Sequence, residues 1–406
     1  MSTFILSQDF PGPSVAAASR LYEFYYGPII RINPSEIVIN DPGFYNEGYV
    51  TANARRTTIW PRSHMMTEDH DLHRRHRKPL EPFFSRLGIT RVEEKIVSEA
   101  KDLNDRLERL KGLESIICLN HVLSAFAGDV IGNICCQDPP IVMAKYEFGK
   151  SVAGSLTRPV PGAARFNEYR EVSPDAAQVD DTAHKVDEKP TLFRHIVTSD
   201  MPTSEQSVER LSRETMVLFG GGGAARQPKI EERLKEDLAP LMLDFLNNLP
   251  RWTDLEVLPY LQAIVKERLR LSYGLMHRLP RCSPDVALQY KQWTIPKGTP
   301  VGMGAYSLHT HFEVYPDPFK FIPERWLGDY DPRMNESWVP FSSVWGKCLG
   351  YNLAIAEIKW ALAVLFRPNG PNISIHETDG SDITPARGSL LPLPRPSSRR
   401  CRVRVG

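Results

Sequence analysis

A stretch rich in aromatic residues and proline, WVPFSSVWGKCLG, runs straight into YNLAIAEIKWALAVLF, so that Cys348 stands where an extended loop hands over to an apolar helix. The helix expected over residues 349–366 carries so few polar residues that it must be buried on nearly all sides, which demands a large surrounding core. Its head is also a place for chemistry. Exposed backbone N–H groups and the positive end of the helix dipole stabilise a thiolate, as a nucleophile or a metal ligand requires. The plainer alternative is a small buried core cysteine.

The composition can supply such a core: 406 residues, 41% hydrophobic and 24% charged, exclude a disordered, collagen-like or coiled-coil chain. Lys and Arg number 50 against 49 Asp and Glu, so no overall basic field points to nucleic acid. The six cysteines, at 118, 135, 136, 282, 348 and 401, form no CxxC pair, which argues against a disulfide framework or a structural zinc site and for a reducing compartment. Near the N-terminus only Phe4 to Leu6 is apolar before Gln8, Asp9 and Pro11. That is far short of a signal peptide or of the ~20 residues of a spanning helix, and the chain is expected to carry no membrane anchor.

Periodicity organises the rest. GPIIRINPSEIVIND alternates around Asn33-Pro34-Ser35 and predicts a hairpin. Residues 68–127 read as helical, 138–190 as loop-rich, and 204–223 as a helix that meets Gly220 to Gly223, where the chain either ends the helix or approaches something closely. A helix opens at Pro259, and short strands are expected at 286–290, 293–295 and 300–303.

Two further constellations accompany Cys348. Glu267 and Arg270 share a helix face, which by itself is the ordinary signature of a solvated surface. Arg325, in the proline-stiffened segment YPDPFKFIPERW, could join them in a buried carboxylate–guanidinium network. His73 and Arg77 lie four apart in DHDLHRRHRKP, a basic helix face suited to solvent, to nucleic acid or to a small dianion. Metal binding by His70, His73 and His76 is disfavoured, because spacings of three and six rotate the rings apart.

ExxR at Glu267 to Arg270, PERW at Pro323 to Trp326, and Phe341 followed by Cys348 and Gly350, in that order, resemble the cytochrome P450 family of haem-thiolate monooxygenases. DHDLHRRHRKPLEPFFSR and HRLPRCSPDVALQYKQWTIPKGTPVGM are similar to the filamentous-fungal branch of the trichodiene oxygenase type, which oxidises terpenoid and polyketide intermediates. The resemblance implies a mainly α fold with small β-sheets, shortened relative to the family. It would form one domain over 1–406, with a β-rich corner at about 27–60 and 284–310 and a helical core carrying the haem loop 341–350.

It further implies haem b held between the 204–223 helix and the loop before Cys348, with Cys348 as axial ligand. His73, Arg77 and Arg281 would contact the propionates and Phe341 would flank the haem in its loop. Glu267, Arg270 and Arg325 would hold that loop, positioning rather than reacting. The expected reaction inserts one oxygen atom of O₂ into a small lipophilic substrate, terpenoid or polyketide, with electrons from NADPH-cytochrome P450 reductase docking near Lys347. No nucleic-acid partner is implied. The expected location is cytosolic, or peripheral at the endoplasmic reticulum.

The chain departs from the family pattern in named places. Val344 stands where the haem loop expects Gly, and Gly346 where it expects a propionate-binding Arg. The oxygen-activating stretch LFGGGGAAR lacks both the acid and the Thr that relay protons in the family, so no side chain beyond the haem iron is expected to be catalytic. A helix is skipped after Tyr26, and the distal helix is short. These departures define the alternative to a working monooxygenase, a haem-binding relic of the same fold.

Overall fold

The computed structural model describes residues 28–33, 36–46, 55–56, 70–135, 228–274, 278, 280–342, 347–383, 387–388, 392–393 and 395–406. The expected loop-rich stretch 138–190, the 204–223 helix with its glycine run, and loop positions Val344 and Gly346 lie outside them. The described residues pack into two compact units.

The first unit holds most of the β-structure. Ile29–Asn33 and Glu36–Ile39 pair antiparallel, with Ile29 opposite Ile39 and Arg31 opposite Ile37. Period-two alternation turns Ile37 and Ile39 to the same face, where both are buried. The sheet continues through Val301–Gly302, parallel to Glu36–Ile39, then Arg281–Cys282 and Arg55–Arg56. Sequence segments more than 240 residues apart thus meet in one sheet, and Arg281 is carried on one of its inner strands with its side chain buried. A hairpin, Leu288–Tyr290 with Trp293–Ile295, closes over this sheet's core: Tyr290 packs edge-on to Phe44 and its hydroxyl donates to Asp41 at 2.8 Å.

The second unit is a helical bundle built around Tyr351–Phe366, whose Leu353, Ala356, Trp360, Ala363 and Val364 are buried. The Arg86–Glu108, Pro228–Met242 and Trp252–Glu256 helices pack on it, and Leu119–Cys135 packs on Arg86–Glu108. Lys359, almost wholly buried, keeps a partner in Glu256, which also pairs with Arg86. A three-stranded sheet sets Arg402–Val405 between Ser115–Cys118 and Ile373–Ile375.

Two expectations change here. Residues 115–118 form a strand, although the apolar run through 127 reads as helix. Gly112 and Glu114 take left-handed backbone conformations that stop the preceding helix, and pairing with the C-terminal strand then outweighs local propensity. The apolar helix begins at Tyr351 and not at Leu349, so Cys348 stands three residues before its first turn instead of directly at its head. Among the described residues no helix is long and apolar enough to cross a membrane.

The tightest corner of the bundle is the start of Arg86–Glu108. Ser85 caps it, accepting from Gly88 N–H at 3.0 Å, and a Cβ on Gly88 would come within 2.2 Å of the Phe83 carbonyl oxygen. Gly88→Ala should therefore destabilise the protein by about 1–3 kcal/mol through overpacking, and Ser85→Ala by about 1 kcal/mol through loss of the cap. Denaturant midpoints compare the two, and a Gly88→Ala protein as stable as its parent would mean that this corner can relax.

Candidate functional site

The site begins with the helix Pro259–Ser272. Proline suits a first helical position, Asp237 accepts from the Leu261 N–H at 2.9 Å, and Tyr260, Leu261, Ala263, Ile264 and Val265 are buried. A spacing of three then brings Glu267 and Arg270 together, both with no exposed surface.

Two ions this deep persist only if every polar atom is matched. They are. The Arg270 guanidinium donates twice to the Glu267 carboxylate at 2.8 Å, and its remaining N–H groups go to the carbonyls of His309, Pro318 and Lys320. Glu267 in turn accepts from Ile322 N–H and Arg325 Nε, both at 3.0 Å, and from Trp326 Nε1 at 2.9 Å. The Tyr315 ring lies 4.9 Å from the Arg270 guanidinium carbon, and its hydroxyl donates to the Met334 carbonyl. Proline at 316, 318 and 323 stiffens the segment that presents these carbonyls and Arg325.

Burial opposes ionisation of Glu267, but the hydrogen bonds and charge of Arg270, joined by Ile322 N–H and Arg325, hold its carboxyl below the usual range. Burial and the nearby Arg270 charge lower His309 to about 3.

The same helix anchors the segment that leads to Cys348. Trp338 Nε1 donates to the Lys266 carbonyl at 2.9 Å, and Val339 N–H donates to His309 Nε2 at 2.9 Å. Past the helix end, Gly274 has φ +56° and approaches Pro340 so closely that a Cβ there would lie 2.4 Å from its carbonyl oxygen. Ser342 has φ +60°, and its hydroxyl accepts from Arg281 Nη2 at 3.0 Å. Cys348 N–H then donates to the Phe341 carbonyl at 2.8 Å, closing the loop, and its thiol is exposed.

The structure thus joins Glu267, Arg270 and Arg325 in one network and joins Arg281, Phe341 and Cys348 through the loop. His73 is buried on the helix His70–Arg77, which also carries Arg77. Arg77 Nε donates to Glu81 at 2.9 Å. Sequence reading missed His309, Trp338 and Ser342. His309, at the end of the short helix Ala305–His309 with His311 two residues on, stands at no helical or metal-ligand spacing, and Trp338 and Ser342 act through one side-chain hydrogen bond each. In chemistry, a reachable sulfur donor beside a loop that holds a buried guanidinium suits a group with a soft metal at its centre and carboxylates at its edge.

The family model described as Cytochrome P450 matches residues 224–377. Cytochrome P450 monooxygenase tndB of Aspergillus flavipes is 50% identical over 84% of this chain and 89% of its own length. Stellatic acid synthase of Emericella variicolor is 45% identical over 98% of this chain and 90% of its own. Fusicoccadiene C-8 hydroxylase of Alternaria brassicicola is 40% identical, again over 98% and 90%. These alignments run over 433, 469 and 479 residues, more than the 406 of this chain, so the relatives carry internal segments that it lacks.

Glu267→Ala leaves the Arg270 charge buried without its counterion, and should cost about 3–5 kcal/mol, enough to deplete folded protein. Arg325→Ala, which leaves Glu267 still paired with Arg270, should cost less. Equal losses, read from soluble yield and thermal midpoints, would contradict the central place given to the pair. A second expectation concerns acid. His309 lies well below its usual 6.5 in the folded chain, so between about pH 6.5 and 3 the unfolded chain binds the extra proton and stability falls as pH falls. His309→Gln should remove a slope of about 1.4 kcal/mol per pH unit between pH 6 and 5, measured by denaturation at each pH.

Proposed function

This chain belongs to the cytochrome P450 family, and on that premise we propose that it oxidises a small lipophilic substrate of terpenoid type with Cys348 as the haem ligand. Family membership makes it a haem b monooxygenase that uses O₂ and a redox partner. The relatives named above are enzymes by description, and no observation favours a haem-binding relic.

The observation that carries the ligand assignment is the thiol of Cys348, exposed at the end of a segment that is tied by side chains and backbone to the buried Glu267–Arg270 pair. Sulfur held this way meets a metal at a fixed place. Arg281, buried and bonded to Ser342 in the same loop, supplies a cation for a propionate, and His73 and Arg77 supply further donors. Phe341 keeps an apolar ring at the loop's start. Bound haem, with a thiolate pushing electron density onto iron, supplies the cleavage of dioxygen.

The balance is that of a monooxygenase: one oxygen atom enters a C–H bond of the substrate as hydroxyl, the other leaves as water. NADPH gives two electrons and, with a solvent proton, the two hydrogens of that water. NADPH-cytochrome P450 reductase is the proposed donor, docking by an acidic face near the exposed Lys347. The terpenoid reading draws on relatives named a fusicoccadiene hydroxylase and a stellatic acid synthase, and polyketides are the other class considered. The proposed location is the cytosol or the surface of the endoplasmic reticulum.

The carbon-monoxide difference spectrum of the reduced, haem-supplemented protein tests the ligand. The red-shifted Soret band of thiolate-bound ferrous haem is expected, and Cys348→Ala should abolish it. A band typical of neutral-thiol or histidine ligation in the parent protein would overturn the assignment.

A further inference from the structure

We propose that His309 is a positioning residue for Cys348: its imidazole couples the Glu267–Arg270 helix to the start of the haem loop, and so fixes where the sulfur is delivered. This rests on Cys348 being the ligand.

The geometry leaves one arrangement of protons. Val339 N–H can only donate, so Nε2 of His309, 2.9 Å away, must accept. The Arg270 carbonyl can only accept, so Nδ1, also at 2.9 Å, must carry the hydrogen. Only the neutral Nδ1–H tautomer satisfies both. Arg270 returns the contact, its Nη1 donating to the His309 carbonyl at 2.7 Å, so the two residues clasp each other by side chain and backbone in both directions. His309 is completely buried, and no water can replace either bond without a cavity to hold it.

What this clasp holds is the chain that carries the sulfur. Val339 is two residues from Phe341, whose carbonyl receives the Cys348 N–H, and the Val339 carbonyl accepts from Ser342 N–H at 3.0 Å. Trp338 and Ser342 have their own ties, to Lys266 and Arg281, but each is a single bond from a part-buried side chain. The His309 bond fixes the backbone itself, where the segment turns toward the cysteine. A loosened Val339 would let the Phe341 carbonyl shift and with it the backbone at Cys348.

Two substitutions divide the roles. In His309→Asn the amide nitrogen takes the place of Nδ1 and keeps the Arg270 contact, but nothing reaches Val339. In His309→Gln the side-chain oxygen takes the place of Nε2 and can still accept from Val339 N–H. Two readouts apply to the full-length protein: amide hydrogen exchange at Val339, which needs no haem, and the thiolate fraction in the carbon-monoxide spectrum. The expected result for His309→Asn is about tenfold faster exchange at Val339, the loss of one buried hydrogen bond, with a shift of ferrous haem from thiolate to neutral-thiol ligation. His309→Gln should stay near the parent in both.

Unchanged exchange in folded His309→Asn, or unchanged thiolate ligation despite faster exchange, would overturn the proposal. If His309→Asn does not fold, His309→Gln decides alone, because faster exchange at Val339 in that variant would show that an acceptor at this place does not hold the loop. A parent protein without thiolate ligation, yet with the exchange pattern as expected, would instead remove Cys348 as ligand and with it the role given to His309, while leaving the clasp itself in place.

Discussion

Everything near the cysteine loop depends on one ion pair that water never reaches. A buried carboxylate and guanidinium gain little over well-packed apolar side chains, because desolvation consumes most of their attraction. Glu267 and Arg270 are nonetheless matched atom for atom, with Arg270 spending its donors on the Glu267 carboxylate and on three backbone carbonyls of the segment 309–320. The consequence is specificity more than stability. Carbonyls of His309, Pro318 and Lys320 can converge on one planar fork in few ways, and a loop that fails to converge leaves a buried charge unsatisfied.

That constraint passes outward by two routes. Through Arg325 and Trp326 it locks the PERW turn onto the helix. Through His309, Trp338 and the close approach of Gly274 to Pro340 it fixes the segment that ends at Cys348. Their joint effect is to hold the backbone that leads to Cys348 while the cysteine itself stays exposed, unlike a core cysteine.

The sequence made the regular elements and the ionic motif legible for different reasons. Pro259 and the helical spacing of Glu267 and Arg270 announce a helix and a shared face, and alternation around Asn33 announces a hairpin. The strand at 115–118 was hidden because its partner, Arg402–Val405, lies nearly 300 residues away, and an apolar run alone suits helix or strand equally. His309 was hidden for a similar reason. Its function exists only once the Arg270 carbonyl and the Val339 N–H are brought to either side of the ring, and neither is a side-chain signal.

The loop also shows how a departure from a family pattern should be weighed. A β-branched residue at 344 would be costly if that position had to supply the left-handed turn. In the described part of the loop the left-handed residue is Ser342, a small side chain whose hydroxyl is engaged by Arg281. A non-glycine residue with positive φ persists where its surroundings hold it there, and the surroundings here are a buried guanidinium and the Val339 carbonyl that accepts the Ser342 N–H. The turn into the loop therefore draws on Ser342 and its partners, and Arg281 becomes a residue on which the backbone reversal depends. Removing that one guanidinium should disturb the loop even in protein that has never met haem, because Ser342 would lose the partner that engages its hydroxyl.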